Sequence, residues 1–296
     1  MTWTFSSDLA AYLAAARPAV AAQPVVNTVL LTVTDALERR GPHAFGPADP
    51  VFGWWTGADG RVAGALLRTP PFPLLLGALP AEAVRALARA FASEPLLAGT
   101  GSLNARRADA SALAGIWGAP ARVAEENRLY VLAGSLAPDP VPEGRGRPAA
   151  EADLPLLLEW VGAFNRECAL PGTASEAALR DRISYGGCLL WEHGGTPVSL
   201  AGFSRPTAGV SRIGPVYTPP AERGRGYAAG VTHAASGAAY AAGAERVLLF
   251  TDLANPTSNG LYQRLGYVPV EDRVVLEGPG EGARPESVTV GNARPR

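Results

Sequence analysis

The order of apolar and polar positions predicts alternating helices and strands in the first half of the chain. Apolar residues recur at helical spacing over residues 24–40, and another helix is expected over 7–17. Strands are expected over 52–56 and 62–69, because the glycine-containing segment between them is typical of a hairpin turn. The remaining predicted elements are a strand over 72–79, helices over 80–92 and 108–117, and a strand over 129–136.

The second half repeats this order after a segment rich in proline and glycine, residues 138–148, which is predicted to be a linker. The predicted elements are helices over 152–167 and 175–184 and strands over 187–192, 197–204 and 211–217. We therefore expect domains over 1–137 and 149–296, the second ending in a disordered tail. The shared order suggests that the two halves are diverged copies of one unit.

Residues 213–266 carry the most informative pattern, in which an apolar strand leads through a glycine-rich turn into an alanine-rich helix. Glycine lets a ligand approach the main chain, and the first N–H groups of a helix have no partner within it, so such a turn attracts anions. Arg223 and Arg225 add positive charge there. The alternative is an ordinary connection that happens to contain glycine. The corresponding turn of the first half, LLLGALPAEAVRA, lacks these residues.

A second pattern follows the next strand, predicted over 246–252. Asn255 and Pro256 are typical of the first positions of a helix, and Gly266 is typical of its end. Leu261 and Leu265 are four residues apart and face the core. Tyr262 lies one step round the helix, so its hydroxyl either points back toward the first turn or lies at the edge of the core.

Composition narrows the classes of function. The chain has 296 residues, of which 47% are hydrophobic and 18% charged, with a net charge of −1. These values are typical of globular proteins and predict no general attraction to nucleic acid or to anionic membranes. The N-terminal apolar run contains Asp8 and Arg17 and is read as an amphipathic helix rather than a signal peptide, so the cytoplasm is the expected location. Two cysteines, expected to be buried, and three histidines are too scattered for a zinc site.

The two patterns together resemble the GNAT superfamily of acetyl-CoA-dependent N-acetyltransferases. Arg223, Gly226 and Ala228 match its turn motif, and Asn255, Ser258 and Tyr262 match its later motif, which is followed here by Leu-Gly-Tyr. The resemblance implies an α/β (α+β) fold of two tandem GNAT-like domains, each a mixed, mostly antiparallel sheet flanked by helices. This architecture is similar to that of the mycothiol synthases, with a degenerate first copy.

The resemblance also implies roles for individual residues, with acetyl-CoA as cosubstrate and no metal. Asn255 and Ser258 are expected near the pantetheine arm, and a main-chain N–H at Val216 or Tyr217 is expected to polarise the thioester carbonyl. Tyr262 is expected to be the general acid that protonates the departing thiolate. The backbone N–H groups expected to hold the pyrophosphate are those of Arg223, Gly224, Arg225, Gly226, Tyr227 and Ala228.

The general base is left open, because the strand over 211–217 contains no Asp or Glu. Glu167 is taken as the catalytic candidate, with Glu192, His193, a water chain or an amine that arrives neutral as alternatives. The function implied is acetyl transfer to a primary amine of a small molecule. Acetylation of a protein N-terminus or lysine, and CoA binding without turnover, are the alternatives.

Overall fold

The computed structural model describes residues 1–118, 120–170 and 174–279 of the chain. These residues form one mixed sheet of twelve strands with helices on both faces. The predicted disordered tail falls within residues 280–296, outside the described residues. Among the described helices, none is long and apolar enough to cross a lipid bilayer.

The first half contains six strands and four α-helices among its described residues. In chain order they are β1 (Thr2–Ser6), α1 (Leu9–Ala21), α2 (Thr28–Arg40), β2 (Val51–Thr56), β3 (Val62–Arg68), β4 (Leu74–Leu76), α3 (Ala81–Ala90), β5 (Ser102–Arg106), α4 (Ala110–Leu113) and β6 (Arg122–Leu132). The helix predicted over 108–117 is wrong in length. It is one 3₁₀ turn followed by the four residues of α4, and Gly115 and Gly118 lie in the turns that follow. Strands β1 and β5 were not predicted.

The second half follows its predicted order more closely. Its elements are β7 (Arg145–Pro148), α5 (Leu154–Glu167), α6 (Glu176–Ser184), β8 (Cys188–His193), β9 (Thr196–Phe203), β10 (Val210–Tyr217), α7 (Tyr227–Ala241), β11 (Arg246–Asp252), α8 (Pro256–Arg264) and β12 (Tyr267–Glu277). The last four residues of the predicted linker form β7, which pairs with β8. The division into domains on either side of 138–148 stays a prediction.

The strand order is β1-β2-β3-β4-β5-β12-β6-β11-β10-β9-β8-β7. The first strands of the two halves, β1 and β7, form the two edges, and the last strands, β6 and β12, lie side by side in the centre. Each strand of the first half is therefore as far from one edge as its counterpart in the second half is from the other edge. Only two of the described strand pairs are parallel, β4 with β5 and β10 with β11. This confirms the predicted mixed, mostly antiparallel sheet. The final strands are exchanged between halves, since β6 pairs with both β11 and β12, and β12 also pairs with β5.

Helices cover the sheet in two layers. Neighbouring strand residues alternate between core clusters: Leu248 packs beneath α1 and α2, whereas Leu249 packs with α7. Leu200 packs beneath α5 and α6, on the same face as Leu248, and Ala201 packs with α7. One face, which we call the first face, therefore carries α1, α2, α5 and α6. The opposite face carries α3, α4, α7 and α8.

Candidate functional site

A wedge opens between the parallel strands β10 and β11. The two strands pair only where residues 210–213 lie beside 246–249. Beyond this point β10 continues along β9 through a bulge between Ile213 and Val216, and β11 continues along β6 to Asp252. Gly214 has φ +149° and Pro215 has no N–H to donate to a ladder, so both residues favour the departure. We call this opening the β10/β11 wedge.

The glycine-rich turn follows β10 and begins α7. Gly224 and Gly226 have φ of +78° and +79°, a backbone conformation that glycine adopts without steric cost. Within the part of the chain that the structure describes, none of the five N–H groups from Gly224 to Ala228 donates an intramolecular hydrogen bond. These groups lie at the positive end of a 15-residue helix. The turn can therefore bind an anion through its main chain, as predicted for a phosphate.

The arginine side chains of the turn are engaged by carboxylates. Arg223 donates to both oxygens of Glu167 at 2.9 and 2.7 Å and to the Thr218 carbonyl at 2.9 Å. Arg225 pairs with Glu222 at 3.0 Å. Much of the positive charge predicted for this turn is thus offset, and the main-chain N–H groups remain as its principal anion-binding feature.

The second motif begins α8 as the sequence predicts. Asn255 is the N-cap, with its side chain accepting from the Ser258 N–H at 3.0 Å. The Asn259 amide then donates to the carbonyls of Asp252 and Asn255, both at 2.8 Å. Tyr130 of β6 donates to Asn259 at 2.9 Å. A strand from the first half therefore positions this helix, which sequence reasoning missed because nothing local indicates that β6 lies beside β11.

Tyr262 lies on the buried side of α8 with 9% of its surface exposed. Burial raises the pKa of its hydroxyl to about 12, so the phenol keeps its proton at neutral pH. Val216, the turn residue Tyr227 and Tyr262 all belong to one core cluster, so the strand, the turn and α8 contribute to the same face of the sheet.

The two candidates for the main-chain N–H, Val216 and Tyr217, lie at the end of β10. Val216 pairs with Ala201 of β9, and Tyr217 is buried with its carbonyl accepting from Ser199 at 3.1 Å. The Tyr217 hydroxyl lies 3.4 Å from Glu167, which puts this carboxylate beside the end of β10.

The other base candidates lie on β8, two strands from β10. Glu192 accepts from Arg147 at 2.6 Å, and His193 faces Glu143 at 3.7 Å. Both cysteines are free thiols, but Cys168 is exposed, so the expectation that both are buried is wrong for it. Cys168 follows the last residue of α5, where the helix no longer packs against the sheet. No cluster of three or more metal-ligating side chains occurs among the residues described.

Part of the chain is similar to a known family of proteins. Residues 155–267 match the family model described as "Acetyltransferase (GNAT) family". A search of curated proteins found no match. The similar solved structures include a GNAT-family acetyltransferase from Colwellia psychrerythraea, 13% identical with a TM-score of 0.62, covering 94% of this chain and 99% of that one. A GCN5-related N-acetyltransferase from Sphaerobacter thermophilus is 18% identical with a TM-score of 0.59, covering 93% and 95%.

These structural similarities extend over both halves of the chain, whereas the family match begins after β7 and ends at the first residue of β12. The matched region contains the wedge, the turn and α8. The chain therefore has the GNAT fold, and residues 155–267 carry its match to the GNAT acetyltransferase family.

Proposed function

We propose that the protein transfers an acetyl group from acetyl-CoA to a primary amine of a small molecule. The observation that carries this proposal is the β10/β11 wedge ending at a helix start whose five N–H groups donate no hydrogen bond to any residue that the structure describes. A pyrophosphate fits the turn, and an extended pantetheine arm fits between strands that have stopped pairing. Main-chain N–H groups at Val216 or Tyr217 would then lie along the arm and polarise its carbonyl.

The chemistry follows from the residues at the wedge. Acetyl-CoA supplies an activated acetyl group as a thioester. The amine nitrogen forms a bond to the carbonyl carbon, the carbon–sulfur bond breaks, and the sulfur receives the proton held on the Tyr262 hydroxyl. A tyrosine hydroxyl is protonated at neutral pH even at its ordinary pKa near 10, so the Tyr262 proton is available when the thiolate departs. Proximity of the amine to the carbonyl contributes the rest of the acceleration.

Glu167 is proposed as the group that takes the proton of the amine, directly or through water. Its carboxylate lies 3.4 Å from the Tyr217 hydroxyl, at the end of the strand that borders the wedge. Arg223 holds the carboxylate through two contacts, which fixes its position next to the turn.

We also propose that the two halves are copies of one unit and that only the second binds the donor. The palindromic strand order supports the duplication. In the first half α3 begins at Ala81 and its preceding turn lacks the Arg-Gly-x-Gly-x-Ala pattern, and α4 is four residues long and contains no tyrosine. The first half would then act as a scaffold and as one wall of the acceptor cleft.

The decisive experiment measures thiol release from acetyl-CoA by the full chain with a panel of small primary amines, and compares it with a lysine-containing peptide. Acetylation of one or more small amines, verified by mass spectrometry, is the expected result. Failure of acetyl-CoA to bind in calorimetry would contradict the proposal. Turnover of the peptide alone would move the acceptor to protein.

A further inference from the structure

Four arginines lie around α6, and one of them contacts the residue at which the β10/β11 wedge opens. Arg182 lies on α6, Arg205 follows β9, Arg212 lies on β10, and Arg40 ends α2. Burial, and to a smaller extent charge repulsion from Arg182, lowers the pKa values of Arg40 and Arg212. We call these four residues the arginine cluster. They belong to elements of both halves, so the cluster exists only in the assembled sheet.

The cluster is tied to the residue at which the wedge opens. Arg182 Nη1 donates to the carbonyl of Gly214 at 2.6 Å. A Cβ atom on Gly202 would lie 2.3 Å from the same nitrogen, so glycine at 202 leaves the space that the guanidinium occupies. Arg212 is two residues before Gly214, and its side chain is directed away from the cluster that buries Ile213, toward the first face. Arg182 therefore contacts the main chain at the residue where the wedge opens, and Arg212 lies on the same strand two residues before it.

Donors of this cluster are buried without partners. Within the described residues, Arg212 Nη1 and Arg205 Nε are both buried and make no hydrogen bond. Leaving a buried donor unsatisfied is costly, and such groups are rare in folded proteins. Burial, followed by repulsion from Arg182, lowers the pKa of Arg212 to about 10, which still leaves it charged at neutral pH.

The side chains of Arg205 and Arg182 have hydrogen-bond partners that account for their positions, whereas the side chain of Arg212 has none among the described residues. Arg205 pairs with Asp181 at 2.9 Å and stacks on the Tyr185 ring at 4.0 Å. Arg182 satisfies the Gly214 carbonyl. The side chain of Arg212 makes no hydrogen bond or ion pair with the described residues, and Asp181 is the one carboxylate of the described chain that is hydrogen bonded to the cluster. A charged side chain kept in this setting is an expected feature of a binding site rather than of a stabilising network.

We propose that the amine acceptor carries an anionic group, a carboxylate or a phosphate, which Arg212 and Arg182 bind while the amine reaches the wedge. This inference rests on the proposed acetyl transfer and specifies its substrate class. Guanidinium groups bind both anions through paired hydrogen bonds, so the chemistry is shared. The anion would accept from the Nη1 donor of Arg212 and would offset the excess positive charge of the cluster.

The test compares amines that differ only in the anion. Amino acids are measured against their carboxamides, and phosphoethanolamine against ethanolamine, with saturating acetyl-CoA and the full chain. We expect the anionic member of one pair to be favoured in kcat/KM, and Arg212→Gln to reduce its kcat/KM about 10- to 100-fold, the loss of one charged hydrogen bond. The neutral member should change less than about threefold. Arg180→Gln is the matched control, because Arg180 lies on the same helix as Arg182 but pairs with Glu151 and Glu176 in solvent.

Two further measurements separate the possible failures. Arg212→Lys, which keeps the charge, should restore part of the preference, and calorimetry should give unchanged acetyl-CoA affinity in both Arg212 variants. Equal losses for the charged and neutral amines would overturn the inference while leaving acetyl transfer intact. If no amine turns over, calorimetric binding of phosphate or amino acid that Arg212→Gln abolishes still supports the anion site, and its absence overturns it.

Discussion

The two halves of the protein open their central parallel strand pairs in the same way, but a single arginine side chain bridges both diverging strands only in the first half, as far as the described residues show. In the first half β4 and β5 pair at residues 74–75 with 103–104 and then diverge, as β10 and β11 do in the second half. Arg273 of β12 crosses this first opening, donating to the Leu76 carbonyl at 2.6 Å and to Asn104 at 2.7 Å. Arg106 reaches the Leu79 carbonyl at 2.6 Å.

The equivalent residue in the second half behaves differently. Arg273 lies opposite Arg106 on β5, and by the same register Arg128 of β6 lies opposite Thr251 on β11. Arg128 turns back to Asp272 with contacts of 2.6 and 2.9 Å and does not bridge β10 and β11. One strand divergence is thus bridged by an arginine side chain, and the other is the site proposed here for acetyl-CoA.

The largest expected effect tests whether donor binding is confined to the second half. Gly226→Glu places a negative side chain at a residue with φ +79° in the turn, and a Cβ there would lie 3.4 Å from Pro142. We expect calorimetry to detect no acetyl-CoA binding, a loss of at least about 100-fold in affinity, since strain and charge repulsion add. Gly237→Glu on the exposed side of the same helix is the control and should bind normally. Residual stoichiometric binding by Gly226→Glu would show that the first half also binds the donor.

The next largest effect tests whether Arg273 stabilises the fold where β4 and β5 diverge. Arg273→Leu should lower the free energy of unfolding by about 3–5 kcal/mol, because it leaves Glu271 and the Leu76 carbonyl without their buried partner. Arg128→Leu should cost about 1 kcal/mol or less, because that pair is partly exposed. Urea denaturation measures both. Equal losses would mean that the two arginines have the same structural role.

Chemistry in the second half is tested by Tyr262→Phe. We expect kcat to fall about 100-fold with acetyl-CoA affinity unchanged, because the thiolate loses its proton donor. Tyr240→Phe, on the exposed side of α7, is the control. An unchanged kcat with chemistry rate-limiting would remove Tyr262 from the mechanism.

The raised pKa of Tyr262 also predicts a pH dependence of stability. Between its ordinary pKa near 10 and its folded value of about 12, the folded protein holds a proton that the unfolded chain releases, so stability falls as pH rises through this range. Tyr262→Phe should lose less stability than the unaltered protein between pH 10 and 12 in denaturation measurements. Identical slopes would contradict the assigned burial of the hydroxyl.

The smallest effect concerns the ion pair beside the turn. Glu167→Gln should weaken acetyl-CoA binding by no more than about fivefold, since Arg223 and Glu167 are both roughly half exposed. A fall of kcat well beyond this factor, at saturating acetyl-CoA, would support Glu167 as the base. Glu222→Gln, which breaks the Arg225 pair on the same turn, is the matched control.

Sequence reasoning found the elements whose boundaries are encoded locally. The glycine turn, the Asn255 cap and the helix beginning at Pro256 all occur as predicted, because each depends on residues within one helical turn. Strands β1, β5 and β7 were missed because they are short and contain polar residues, glycine or proline, and they form by pairing with distant strands. Strand β12 was also missed, and it pairs with β5 and β6 of the first half.

The proposed acceptor side of the site was not predictable for the same reason. Arg212 and Arg182 are unremarkable in the sequence, and their relation depends on the Arg182 side chain of α6 reaching the main chain of β10. Tyr130 supports α8 only through the exchange of β6 between halves. Local pattern indicates which face of a strand is buried, but it does not indicate which strand lies alongside.

The strand exchange also determines the order in which the protein can fold. The paired residues Arg122 and Glu277 are 155 positions apart, and β5 has no partner on one side until β12 has been synthesised. A newly made first half therefore exposes the edge of β5 and an unpaired β6 while the ribosome completes the second half. Because such distant pairing carries a high loop-closure entropy, we expect a slow final step in which the two central strands close the sheet together.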